Sequence, residues 1–176
     1  MRIKFNFLFE GTPLKNGVYY YEGGEVPENL HKIIKKVIIK DGITEINDYA
    51  FYGCTSLKST TIPNNVTSIG MGAFKYCESL KLITIPYSVT KIGENAFRCC
   101  VSLKSITIPN SVIYIGDYAF SNCTSLKSID VPDSVTEIGN RAFYGCTNLV
   151  VNCNKDSYAY WYCKAEGIKV DTSRRI

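Results

Sequence analysis

Phe51, Phe74, Phe97, Phe120 and Phe143 stand 23 residues apart. Cys54, Cys77, Cys100, Cys123 and Cys146 keep the same interval, and so do Leu57, Leu80, Leu103, Leu126 and Leu149. Three columns in one register require a single structural unit copied along an axis. A fixed period of about 20 to 50 residues marks a stacked repeat. One such unit cannot bury its own apolar edge, so neighbours share a continuous core and stability is roughly a sum over units and interfaces. The 176 residues are therefore read as one elongated domain.

The unit from Ser102 to Thr124 shows how one coil is built. Ile106 and Ile108 alternate with Ser105 and Thr107, the pattern of a short strand with one buried face. Pro109 ends that strand because it has no amide to donate. Val112 and Ile115 point inward on a second short extended or turn segment. Gly116 follows, where the backbone needs either a positive φ or close approach. Ala119, Phe120 and Cys123 have the spacing of one helical or 3₁₀ turn, which closes the coil. Leu103, Ile106 and Ile108 give the L-x-x-I-x-I spacing of a leucine-rich repeat. The expected fold is an α/β repeat solenoid, a right-handed leucine-rich-repeat coil of 23-residue units with a distinct cap at each end.

Coils in such a stack lie about 5 Å apart, the spacing of neighbouring strands. The five in-phase cysteines are thus expected as a row of reduced, buried thiols, a position that suits a small apolar residue. A straight row does not converge on a tetrahedral metal site. Cys99, Cys153 and Cys163 lie outside the row, and Cys153 and Cys163 are the pair that oxidising conditions would join.

The string Ile83-Thr84-Ile85-Pro86, then Ser88-Val89-Thr90, Ile92-Gly93, Ala96-Phe97, Cys100 and Ser102-Leu103-Lys104-Ser105, resembles the BspA-like subclass of leucine-rich repeats. The resemblance runs over about residues 37 to 150. It implies a solenoid with a parallel sheet on the concave side, protein- or surface-binding roles, and no enzymatic activity. Many members of the family are secreted or surface-attached.

The ends depart from the period. Val37, Ile38 and Ile39 fill the strand place of an imperfect first coil, with Ile43 and Ile46 behind it. Residues 1–36 are read as an N-terminal cap, 37–150 as the repeats and 151–176 as a C-terminal cap. In the first cap, strands near 2–9 and 17–21 could pair as a hairpin, and Pro27-Glu28-Asn29-Leu30 opens a short helical turn. Its aromatic stretch (Phe7, Phe9, Tyr19, Tyr20, Tyr21) is either cap packing or a binding site of its own. At the other end Leu149 is in phase, while Val151 and Cys153 are one residue off. Asp156 or Ser157 can cap a helix through Ala159, Trp161, Tyr162 and Ala165, stopped by Gly167. Trp161 is expected to pack over the last coil, Ile168 to Val170 to form a strand, and Asp171 to Ile176 to fray.

Little in the chain suggests catalysis. The one histidine, His31, has no partner at metal or triad spacing. Phosphate-loop, dinucleotide, nucleophile-elbow and zinc-protease motifs are absent, so no catalytic, cofactor or metal residue is assigned. Asn65-Val66-Thr67 and Asn122-Cys123-Thr124 match the glycosylation pattern, the second by chance if Cys123 is in the core. The net charge of +4 is too small to argue for sequence-specific nucleic-acid binding. No apolar run reaches the ~20 residues of a membrane-spanning helix. The start (Met1 to Glu10) alternates like a strand and offers no signal-cleavage site. A cytoplasmic location is expected, with a surface or secreted one as the alternative.

Two surface columns remain. Lys35, Lys58, Lys81, Lys104 and Lys127 precede each strand. They either keep the coil soluble and its edge unpaired or attract a long acidic partner. On the outer strand face lie Ser59 and Thr61, Leu82 and Thr84, Ser105 and Thr107, Ser128 and Asp130, a smooth hydroxyl-rich surface broken by Leu82 and Asp130. The expected function is a non-catalytic interaction module that binds a macromolecular, protein partner through this surface. The alternative is an adhesin for extracellular matrix or glycans. A regular lattice such as ice would suit an unbroken hydroxyl ladder better.

Overall fold

The computed structural model describes residues 14–173, so the expected strand near 2–9 lies outside the described residues. The chain winds as a parallel-strand solenoid. Its first set of strands is β2 (Val18–Tyr21), β3 (Lys36–Ile39), β5 (Ser59–Thr61), β7 (Leu82–Thr84), β9 (Ser105–Thr107), β11 (Ser128–Asp130) and β13 (Val150–Asn152). The second set consists of two-residue strands, β4 (Glu45–Ile46), β6 (Ser68–Ile69), β8 (Lys91–Ile92), β10 (Tyr114–Ile115) and β12 (Glu137–Ile138). Ser59 lies opposite Leu82 and Ser105 opposite Ser128, so parallel register follows the sequence period. Val150 lies opposite Ser128, which places Val151 beside Ile129. That is the one-residue slip visible in the sequence.

The third side of each coil is not an α-helical turn. The turn read as helical or 3₁₀ is a chain of tight turns closed by bonds to the residue three back, as in a 3₁₀ turn, and the only α-helix among the described residues is α1 (Tyr158–Ala165). The reason lies in where the amides go. In the third coil the amides of Lys75 and Cys77 close on Gly72 and Phe74, three residues back, while those of Gly72, Phe74 and Tyr76 reach Glu94, Ala96 and Arg98 of the next coil. A helix would spend every amide internally. Here alternate amides are left to cement neighbours, and two columns of left-handed residues make this possible. Tyr49, Gly72, Asn95, Tyr118 and Arg141 form one, and Gly53, Tyr76, Cys99, Asn122 and Gly145 the other, all at positive φ. The turn edge thereby finds partners for these amides in the next coil.

Inside, Phe74 stacks on Phe97 with ring centroids 5.3 Å apart and planes within 1°, and Phe97 on Phe120 at 5.3 Å and 7°. The row is extended by Tyr21 on Phe51 at 4.7 Å and closed by Tyr162 edge-on to Phe143 at 6.1 Å. The cysteine row lies beside it, all eight cysteines being free. Burial is not its whole purpose. The thiols of Cys77, Cys100, Cys123 and Cys146 donate to the carbonyls of Phe51, Phe74, Phe97 and Phe120 at 3.1–3.2 Å. Each of those carbonyls also receives an amide from within its own coil, as Cys54 donates to Phe51. Cysteine is thus small enough for the site and still carries a weak donor for the second lone pair.

Gly70, Gly93, Gly116 and Gly139 resolve to close approach. A Cβ on Gly93 would lie 2.7 Å from the Gly70 carbonyl carbon, and one on Gly116 2.5 Å from the Glu94 nitrogen. Neither glycine is at positive φ.

The caps are built from the same parts. Asn16 and Gly17, both at positive φ, join β1 (Leu14–Lys15) to β2 in a tight hairpin. β2 then pairs parallel to β3, Val18 opposite Lys36. The region read as non-repeating thus contributes a shortened coil, closed by a 3₁₀ turn at Glu28–Leu30. Tyr21 is fully buried, and its hydroxyl donates to Asn47 Oδ1 at 2.8 Å. At the far end Ser157 caps α1 by accepting the Tyr160 amide, and β14 (Lys169–Asp171) pairs with β13. Trp161 is a correction: it is 60% exposed. Tyr162 covers the last coil instead, its hydroxyl accepting the Ala142 amide at 3.0 Å. Helical spacing puts only one of two adjacent aromatics inward.

Candidate interaction surface

A strand three residues long with its middle residue buried presents its first and third residues outward. Thr60, Ile83, Ile106 and Ile129 are the buried middles. Their flanks form two parallel rows. One runs Ser59, Leu82, Ser105, Ser128; the other runs Thr61, Thr84, Thr107, Asp130. All eight positions sit on one face, with Ser59, Ser128 and Asp130 half-buried and the rest exposed. Lys58, Lys81, Lys104 and Lys127 are exposed at the edge of the same face, with Lys35 at its head. The amides of Lys58, Lys81 and Lys127 donate to the carbonyls of Lys35, Lys58 and Lys104, so those backbones are one strand spacing apart.

The rows are longer than the sequence suggests. Register carries the threonine row back through Ile38 to Tyr20 and forward to Asn152. Tyr20 and Ile38 are exposed, so the face has an apolar head. Asn152 Nδ2 donates to Asp130 Oδ1 at 2.5 Å, which fixes the carboxylate at the end of the row. The sequence places Tyr20 in the aromatic stretch of the cap but not in this row, because its coil is shorter than the period. The signal that could have found it is the alternation of Tyr19 and Tyr21, both buried, around it.

Other chemistry is held in structural roles. Among the described residues, no three His, Cys, Asp or Glu side chains gather as a metal site would require. His31 Nε2 lies 2.8 Å from the Val26 carbonyl, within the N-terminal cap. Burial pushes the Cys54 and Cys163 thiols up to about 12, and raises Cys77 and Cys100 as well. A thiol so displaced is not a nucleophile near neutral pH. Among the described residues, no helix is long and apolar enough to cross a membrane.

A profile of the BspA type leucine-rich repeat region matches residues 29–150 in six copies. Among solved structures, a leucine-rich repeat protein of Bacteroides ovatus is 38% identical over 68% of this chain and 31% of its own, with a TM-score of 0.64. The leucine-rich repeat protein of T. pallidum is 36% identical over 77% of this chain and 62% of its own, with a TM-score of 0.66. A leucine rich cell surface protein of Faecalibacterium prausnitzii is 36% identical over 80% of this chain and 36% of its own, with a TM-score of 0.67. The chain therefore spans less than two thirds of each of these proteins. No curated protein matches it. Repeat profile, coil period and structural likeness agree: the chain belongs to the BspA type leucine-rich repeat family.

Proposed function

We propose that the chain is a non-catalytic interaction module that binds a protein partner through the outer strand face, with the lysine column drawing in an acidic surface. The family and its fold are typically non-enzymatic interaction or surface modules. The observation that carries the reading is the alignment, over successive coils, of exposed lysines beside two exposed rows of short side chains. Ser and Thr lose little rotamer freedom on contact. A lysine row held by backbone bonds one strand spacing apart repels itself and gains from an incoming row of carboxylates. The test is affinity capture from the source cells with the wild-type chain and with a variant carrying Lys58→Gln, Lys81→Gln and Lys104→Gln, across a salt series. A partner held by the wild type and lost by the variant at low salt supports the reading. Equal capture by both at every salt concentration contradicts it.

A surface-attached role is the second reading. One observation favours it: the Faecalibacterium relative is described as a cell surface protein. Fractionation of source cells, with protease treatment of intact cells, separates this from the cytoplasmic location expected from the sequence.

A further inference from the structure

The strand face is interrupted at one place. β5 pairs with β7 and β9 with β11, yet β7 and β9 do not pair, although β8 and β10 behind them do. The lysine amides tell the same story. Lys58, Lys81 and Lys127 each donate to the preceding lysine of the column, and the bond from Lys104 to Lys81 is missing. The turn edge stays closed at this level, with the amides of Asn95, Phe97 and Cys99 bonded to Asp117, Ala119 and Ser121. The coil therefore parts only on the face that carries the two rows. A cleft of about 280 Å³ opens there, lined by Leu82, Thr84, Tyr87, Ser105, Thr107 and Pro109 above an isoleucine floor.

Two departures from the repeat meet at this cleft. The place of Leu82 is serine in Ser59, Ser105 and Ser128, and the place of Tyr87 is Asn64, Asn110 and Asp133. Both changes put a large apolar side chain where the coils of β5, β9 and β11 have a small polar one. Leu82 is 60% exposed and Tyr87 79% exposed. Apolar groups at the lips of an apolar-floored cleft gain free energy when covered. The volume lies below that of a typical small-molecule pocket and suits a single large side chain. Lys81 and Lys104, both exposed, precede the two strands that part.

We infer that this cleft anchors an acidic segment of the partner protein through one aromatic or large aliphatic side chain. That side chain is seated between Leu82 and Tyr87, and carboxylates on either side of it meet Lys81, Lys104 and their column neighbours. A central apolar anchor surrounded by charge is how small interfaces concentrate their affinity. The inference rests on the reading of the strand face as the interaction surface and adds its focal point.

The test is an NMR titration of the isotope-labelled chain at low salt with three synthetic peptides. The first places a tryptophan at the centre of eight glutamates, the second replaces that tryptophan with alanine, and the third replaces the glutamates with lysines. The first peptide is expected to shift amides of residues 81–87 and 104–109 most, and to bind about tenfold or more tighter than the second. The third is expected not to bind. Leu82→Ser and Tyr87→Ser, checked for unchanged melting, should remove the tenfold difference and leave the weak binding common to the first two peptides. If the first two peptides bind equally along the lysine column, the anchor is wrong and the strand-face reading stands. Shifts confined to the turn edge would overturn both, and no binding by any peptide would overturn the anchor.

Discussion

The cysteine row shows how much one residue can settle. Cys54, Cys77, Cys100 and Cys123 are buried with their thiols raised, whereas Cys146, at the end of the row, is half-buried and lowered by its hydrogen bond with Cys123. Cys77, Cys100, Cys123 and Cys146 each hold a carbonyl of the preceding coil. A thiol reagent should therefore spare Cys54, Cys77, Cys100 and Cys123 in the native chain and label all eight cysteines after denaturation. Cys99, which is half-buried, should be labelled early. Rapid native labelling of Cys100 would contradict the assignment. The raised thiols also set a pH dependence. Burial lifts Cys54 from 9.0 to about 12, and Tyr21 and Tyr162 from 10.0 to about 12. In the unfolded chain these groups lose protons from about pH 9 upward, while in the folded chain they keep them. The unfolded state then binds fewer protons, so stability falls as pH rises. Melting temperature is expected to be insensitive to these groups below pH 9 and to drop progressively between pH 9 and 12. A flat profile across that window would show that they are not buried as described. The glycine column makes an equally local prediction. Gly93→Ala forces a methyl against the Gly70 backbone and should cost about 1–3 kcal/mol, the usual penalty of overpacking, read from denaturant unfolding.

At the scale of the coil, the inward and outward positions should separate cleanly. Phe97 is fully buried between Phe74 and Phe120, and Phe97→Ala should cost ~3–5 kcal/mol. Thr107 is exposed on the strand face, and Thr107→Ala should stay within ~0.5 kcal/mol. Equal shifts in unfolding midpoint would reverse the assignment of faces. The columns made this much of the coil legible, because each 23-residue period advances the stack by one strand spacing and repeats every contact. What the columns hid were features that depend on backbone conformation. The turn edge carries the apolar spacing of a helical turn at Ala119, Phe120 and Cys123, yet left-handed residues such as Asn95 and Cys99 redirect alternate amides to the next coil. Side-chain pattern alone does not report that choice. Nor could it rank two adjacent aromatics in α1. Trp161→Ala should change stability little, whereas Tyr162→Phe leaves the Ala142 amide without its acceptor and should cost about 1–3 kcal/mol.

Over the whole molecule, the aromatic row runs without a break from Tyr21 to Tyr162. The strand face beside it is continuous except between β7 and β9. The face was legible in outline, since Ser59, Thr61, Leu82, Thr84, Ser105, Thr107, Ser128 and Asp130 all lie on it with the lysine column at its edge. At its apolar head Ile38 is in phase with Thr61, whereas the place of Tyr20 in the row was hidden by a coil shorter than the period. Its cleft was hidden because a parted ladder leaves no trace in sequence beyond two unlike residues, Leu82 and Tyr87. The proposal that this face is where a partner binds is tested most directly by hydrogen exchange of backbone amides, with and without a partner captured from the source cells. Protection is expected at residues 58–61, 81–87, 104–109 and 127–130. Protection confined to the turn edge, at residues 49–53, 72–76, 95–99 and 118–122, would contradict it.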